Sequence, residues 1–192
     1  GLPDTLPPTR AALAEILTEN RGVIWNTVAP TGDIHAVNDG RRAQAQVVRE
    51  SFLSEIEPDI VHCSGVVEGL WVNSVTISHQ HVQGPLTAAT LYDVIPLIDR
   101  TRYLLDRGEE RWYRQRLAQL RRADLLLAIS EYTQREGCEL LELPQERVVN
   151  VRTAADDIFT PLTITSEREA ELLSHYGITK PFVMYTGGLD PR

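Results

Sequence analysis

The sequence predicts an α/β fold: a Rossmann-like parallel sheet with helices on both faces. Segments of strand length that are apolar throughout, rather than alternating, point to strands covered on both sides. Helical segments of about ten or more residues separate them, the length that a parallel crossover requires. The 192 residues, 42% of them hydrophobic, suffice for one core and a part of another.

The elements follow in order. After the loop-like "GLPDTLPP", Leu13, Ile16 and Leu17 fall at helical spacing between Thr9 and Asn20, with Thr9 able to cap the first turn. "GVIWNTV" reads as a strand. Asp39 opens a longer helix in which Ala45, Val48, Phe52 and Ile56 recur every three or four residues, and Pro58 ends it by withholding a donor. "DIVHCS" is a second strand, followed by a short helix around Glu68 to Val75 and the strand "LTAATLYDV". An arginine-rich helix runs from about Asp106 to Arg122, with Tyr113, Leu117 and Leu120 as its core face, Glu110 four residues before Arg114, and the arginines at 107, 111, 114, 116, 121 and 122 on a solvated face. "LLLAIS" leads to a helix capped by Ser130 and closed by Pro144; "VVNVRTA" is the next strand. Ser166 with Glu169 forms a capping box for a helix ending near Gly177, and "FVMYT" is the last strand.

Nineteen basic against 27 acidic residues give a net charge of −8, which sets aside nucleic-acid binding, since phosphate contacts need a clustered positive surface. No apolar run approaches the roughly 20 residues needed to cross a bilayer, so the chain reads as soluble and cytoplasmic. Cys63 and Cys138 lack metal-site spacing and read as buried free thiols. His62 alternates into its strand as a core residue would. The pair His79 and His81 would bind metal only with a third ligand, and loop histidines are the simpler reading.

In open parallel sheets, ligands bind beyond the carboxyl ends of the strands, where helix N-termini present unpaired amides. "SGVVEG", "YDVIPL", "SEYT" and "TGGLDPR" occupy such ends. A dinucleotide fingerprint (GxGxxG) is missing, and a P-loop is excluded because the single lysine, Lys180, precedes a strand.

Four stretches then carry a resemblance: "TLYDVIPL", "RADLLLAISEYTQREGCELLELPQERVVNV", "AADDIFTPL" and "FVMYTGGLDPR". In order and spacing they resemble glycosyltransferase family 4, the group 1 retaining enzymes with the GT-B fold, in which two Rossmann-like domains face each other across a cleft. The resemblance implies transfer of a hexose, mannose among the candidates, from a nucleotide-diphosphate sugar to a glycan or lipid-linked acceptor, with no cofactor and no metal. It implies an incomplete N-terminal, acceptor-side domain over residues 1–160, an inter-domain linker and helix over 161–180, and the first strand and Gly-Gly loop of a donor-side domain over 181–192. In the family, two further βα units come before the counterpart of Gly1, while a Lys-Asn pair and a Glu-x7-Glu motif follow the counterpart of Arg192. The chain is thus expected to be a piece of the enzyme, inactive alone. Cytoplasmic location, or a peripheral one at the inner membrane face, is implied with it.

The resemblance assigns Gly187, Gly188 and Arg192 to the donor diphosphate; without it, the glycines read equally well as a plain turn. Tyr92 and Asp93 stand where many relatives have His-Asp beside the reacting sugar, so they are assigned to the acceptor or sugar cleft; the structural alternative is that Asp93 caps the turn into Ile95 and Tyr92 packs on a helix. Ser130 and Glu131 begin a helix at the cleft, with capping as the structural account, and Glu68 with Gly69 holds a similar position. No catalytic residue is singled out. Missing central strands would leave sheet edges unpaired, to be met by "VIWN" closing on "DIVHCS" or by exchange of "FVMYT" in a homodimer. A non-catalytic binding or assembly module with a transferase-like sheet is the competing class.

Overall fold

The computed structural model describes residues 35–67 and 84–185, together with 25, 29, 31, 32, 70, 73 and 75. The expected helix over 9–20, most of the strand "GVIWNTV", the helix around Glu68 and the "TGGLDPR" loop lie outside the described residues. The chain divides into two compact units, residues 1–152 and 153–192.

The first unit holds a four-stranded, all-parallel sheet: β1 (Ile60–Cys63), β2 (Leu86–Leu91), β3 (Leu125–Ala128) and β4 (Val148–Asn150), lying in sequence order. Helix α1 (Asp39–Ile56) precedes β1. Two single-turn helices, α2 (Ile95–Ile98) and α3 (Arg100–Tyr103), and the long α4 (Arg107–Arg122) join β2 to β3; α5 (Glu131–Leu141) joins β3 to β4. Registers of Ala89 against Leu126 and Leu126 against Val148 bring alternate strand residues into one row. Backbone pairing runs past the strand ends, with Ile129 N donating to Leu91 O and Val151 N to Ala128 O. The parallel sheet with its crossover helices agrees with the fold class expected from the apolar runs.

Every second strand position points to the same face. Cys63, Ala89, Leu91, Leu126, Ala128 and Val148 therefore share one, and there they meet Tyr113, Leu117 and Leu120 of α4 and Leu141 of α5 in a single buried cluster. The opposite face carries the exposed His62, which bonds Thr90 Oγ1 through Nε2 at 2.9 Å, so His62 is a surface strand residue rather than a core one. Its imidazole lies on the face away from the cluster, where a polar partner satisfies it.

Local sequence accounts for the helix ends. Asp106 caps α4, its Oδ1 accepting from Gly108 N at 2.6 Å and Glu109 N at 2.9 Å, and Ser130 caps α5 through Thr133 N at 3.0 Å. Glu57, in the left-handed region at φ 52°, terminates α1 ahead of Pro58. At the amino-terminal edge of the sheet, Asp124 Oδ2 accepts from both the amide and the hydroxyl of buried Thr87, at 2.7 and 3.0 Å. Arg121 donates to the carbonyls of Leu140 and Leu141 at the end of α5, and Arg147 donates to those of Arg121 and Ala123 at the end of α4.

Some expectations need correction. Arg116 is 1% exposed, not part of a solvated face: its aliphatic stem packs inward and its head reaches Gln119 Oε1 at 3.3 Å. The Arg114–Glu110 pair does form, at 2.9 Å. Of the expected inward positions of α1, Ala45 is buried, but Val48 and Ile56 lie on the outer side, and Arg42 and Glu50 are buried beside Ala45. Both cysteines are free but half-buried.

The second unit contains α6 (Ser166–His175). Its cap is Thr165, whose Oγ1 accepts from Arg168 N at 3.3 Å; Ser166 is already helical and the third position after the cap is Arg168, so the capping box drawn through Ser166 and Glu169 does not form. Gly177, at φ 63°, follows the helix as a left-handed stop. Residues 182–185 are exposed and belong to no strand among the described residues; β-propensity alone does not make a strand where no neighbour supplies the ladder.

One close approach controls how α5 sits on the sheet. A Cβ at Gly137 would lie 2.6 Å from Leu91 Cδ2 and 3.4 Å from Val148 Cγ1, and Leu91 is itself 1% exposed, with little room to turn aside. Gly137→Ala gains up to about 1 kcal/mol in helix propensity but overpacks this contact at a cost of about 1–3 kcal/mol. The expected outcome is a net loss of about 1 kcal/mol in urea unfolding; a stabilised variant would refute the tight packing.

Candidate functional site

The parallel arrangement delivers three polar loops to the carboxyl edge of the sheet: residues 64–67 after β1, Tyr92 and Asp93 after β2, and Ser130 and Glu131 after β3. Between the first two opens a cavity of about 130 Å³. Gly65, Val66 and Val67 line it from β1, and Thr90, Leu91, Tyr92, Asp93 and Pro96 from β2 and the turn beyond. Helix α4 adds Tyr113 and Leu120.

Two of the expected residues thus share the cavity. Tyr92 is 56% exposed, which corrects the alternative that it packs on a helix; its side chain is left at the surface. Asp93 does cap the following turn, its Oδ1 accepting from Ile95 N at 3.0 Å. Ser130 and Glu131 do not line the cavity, but Ser130 is tied to it. Thr133 Oγ1 donates to the carbonyl of Tyr92 at 3.2 Å and lies 3.0 Å from Ser130 Oγ, so the start of α5 holds the loop that follows β2. Glu131 is exposed in the first turn of α5, where a carboxylate complements the helix dipole. Glu68, Gly69, His79, His81, Gly187, Gly188 and Arg192 lie outside the described residues.

Sequence reasoning passed over Tyr113, taken only as a core residue. It is 2% exposed and lines the cavity, and its hydroxyl is buried without a hydrogen-bond partner among the described residues. Burial pushes the phenol's pKa above its ordinary range, and the carboxylate of Asp93 adds to the shift. A signal for it did exist: a tyrosine at an inward helix position carries a hydroxyl that needs a partner, where leucine would need none.

Among the described residues, no three His, Cys, Asp or Glu side chains gather closely enough to hold a metal ion. Nor is any described helix long and apolar enough to cross a membrane.

Comparison with known proteins adds identity to this geometry. Over 190 residues, 98% of the chain, it is 31% identical to each of two Escherichia coli proteins named serotype-specific mannosyltransferase WbdA, and 30% identical to a third of that name. These mannosyltransferases are homologues of the chain. The chain spans between 22% and 23% of their length. No protein-family model matches it, and no solved structure does.

Ser130→Ala removes the cap of α5 and should lower stability by about 1 kcal/mol in denaturant unfolding, with Ser130→Asp retaining most of it. The raised pKa of Tyr113 sets an alkaline limit. A neutral phenol in the folded state contributes stability that is intact below the ordinary tyrosine value of about 10 and is lost as pH climbs towards the folded pKa. In a spectrophotometric titration, one tyrosine should ionise late, together with unfolding. Tyr113→Phe should abolish that late step and move alkaline unfolding to higher pH; an unchanged titration would refute it.

Proposed function

We propose that the chain is part of a glycosyltransferase that moves a hexose, mannose in the first instance, from a nucleotide-diphosphate sugar to a glycan or lipid-linked acceptor with retention at the transferred carbon. The observation that carries this reading is the match to proteins named mannosyltransferases along 98% of the chain. The parallel sheet supports it, because its carboxyl edge is where such a fold exposes loops and amides to ligands. In this reading residues 1–160 belong to the acceptor-side domain of a GT-B enzyme of glycosyltransferase family 4, 161–180 to the linker and helix, and 181–192 to the entry of the donor-side domain.

Chemistry distributes the roles. Tyr92 and Asp93 contact hydroxyls of the acceptor or of the transferred sugar, and Ser130 with Glu131 extends that polar rim. Tyrosine has no basic ring nitrogen, so Tyr92 acts by hydrogen bonding through its hydroxyl. Gly187 and Gly188 allow a close backbone approach to the diphosphate, and Arg192 adds a charge-assisted bond. Departure of a nucleoside diphosphate then depends on amides and cations directed at developing negative charge, a form of electrostatic stabilisation.

The full-length protein carrying this chain should transfer mannose from GDP-mannose to a mannose-terminated acceptor, with UDP-glucose as the comparison donor, and should conserve the anomeric configuration by NMR. Release of free sugar at a rate indifferent to acceptor would count against transfer.

A further inference from the structure

The cavity between β1 and β2 has a composition that selects its occupant. Apolar side chains of Val66, Val67, Leu91 and Leu120 supply most of its wall, and the charge among its lining residues is the carboxylate of Asp93. Among the described residues a phosphate or diphosphate would meet repulsion there and no lining cation. Water alone is a poor match for so apolar a wall, since a retained water wants two to four polar partners. A neutral ring with an apolar face and hydroxyls at its rim suits the site on both counts. The volume, about 130 Å³, is close to that of an engineered cavity of about 150 Å³ that admits benzene, so it takes the apolar face of a hexose ring while part of the hydroxylated rim stays outside.

The second observation is the unsatisfied hydroxyl of Tyr113. Buried polar groups are nearly always hydrogen-bonded, and an orphan in a native structure calls for an explanation. This one belongs to a residue that lines the cavity and is 2% exposed. Asp93 cannot use its Oδ1 freely, because that atom accepts the amide of Ile95.

We propose that this cavity is a subsite for one neutral hexose ring, and that Tyr113 is a specificity-determining residue which donates its hydroxyl hydrogen to a ring oxygen or hydroxyl of that sugar. The apolar wall takes the ring's C–H face, and Asp93 accepts from a neighbouring hydroxyl. The proposal deepens the transferase reading and rests on it for the word sugar. Its physical content, a donor held in reserve for a neutral polyol, is separately measurable.

The test compares wild type and Tyr113→Phe in the full-length protein. Thermal unfolding without ligand comes first: removing an orphan hydroxyl should leave the melting temperature unchanged or raise it, whereas a fall would reveal a structural partner and overturn the proposal. Binding of methyl α-mannoside, followed by saturation-transfer NMR, should then weaken roughly three- to tenfold in the variant, the loss expected for one neutral hydrogen bond. Equal binding by both proteins, no binding by either, or displacement of the mannoside by inorganic pyrophosphate would overturn it. In a transferase assay the same change should raise one KM by a similar factor with kcat within about twofold, the pattern for lost ground-state binding. A raised KM for the mannose-terminated acceptor assigns the ring to the acceptor, and one for GDP-mannose assigns it to the donor. If both KM values stay at wild type while transfer proceeds, the subsite fails and the transferase reading stands. If no donor supports transfer but the mannoside binds in a Tyr113-dependent way, the reverse holds.

Discussion

The position of α5 on the sheet rests on an atom that is absent. Because residue 137 has no Cβ, the helix can approach Leu91 and Val148 to ordinary contact distance, and any side chain there would have to be accommodated inside the buried cluster. Everything at the carboxyl edge between β2 and β3 inherits that spacing. It sets where Ser130 caps, where Thr133 reaches the carbonyl of Tyr92, and hence where the loop bearing Asp93 begins. The cavity is therefore shaped by helix packing some turns away from it, as well as by its own lining.

Much of this was legible in the amino-acid order. Uninterrupted apolar runs such as "LLLAIS" could only belong to strands covered by crossover helices, and β1 to β4 follow that pattern in parallel and in sequence order. Ser130 caps where a short polar side chain precedes a helical pattern, and α4 begins next to Asp106 as its spacing indicated. What was not legible depended on tertiary partners. Arg116 is charged, yet α4 turns its stem into the protein; His62 sits in an apolar run, yet on the face where Thr90 awaits it. Thr165 and Ser166 are equally good caps by type, and only the backbone distinguishes them. The segment 182–185 has the residues of a strand without a neighbour to complete it among the described residues.

The candidate site shows the same division. Tyr92 and Asp93 were singled out from the end of a strand and a resemblance, and both line one cavity in the structure. Ser130 and Glu131 belong to the neighbouring loop, and Ser130 connects to the Tyr92 loop through Thr133. Tyr113 was hidden by its own periodicity: a position that repeats with Leu117 and Leu120 reads as core, and it is core, but its last atom is polar. Helical spacing identifies where a side chain goes and says little about what its tip meets.

The two edges of the sheet are built from different materials. At the amino-terminal edge, Arg121 and Arg147 clasp the ends of each other's neighbouring helices while Asp124 staples β2 to β3. Four guanidinium-to-carbonyl hydrogen bonds thus tie the ends of α4 and α5 together. The carboxyl edge relies instead on hydroxyls and on the carboxylate of Asp93 beside a small void. Low-cost opening is therefore expected at the carboxyl edge, where loops can rearrange around an incoming molecule while the strands beneath keep their register.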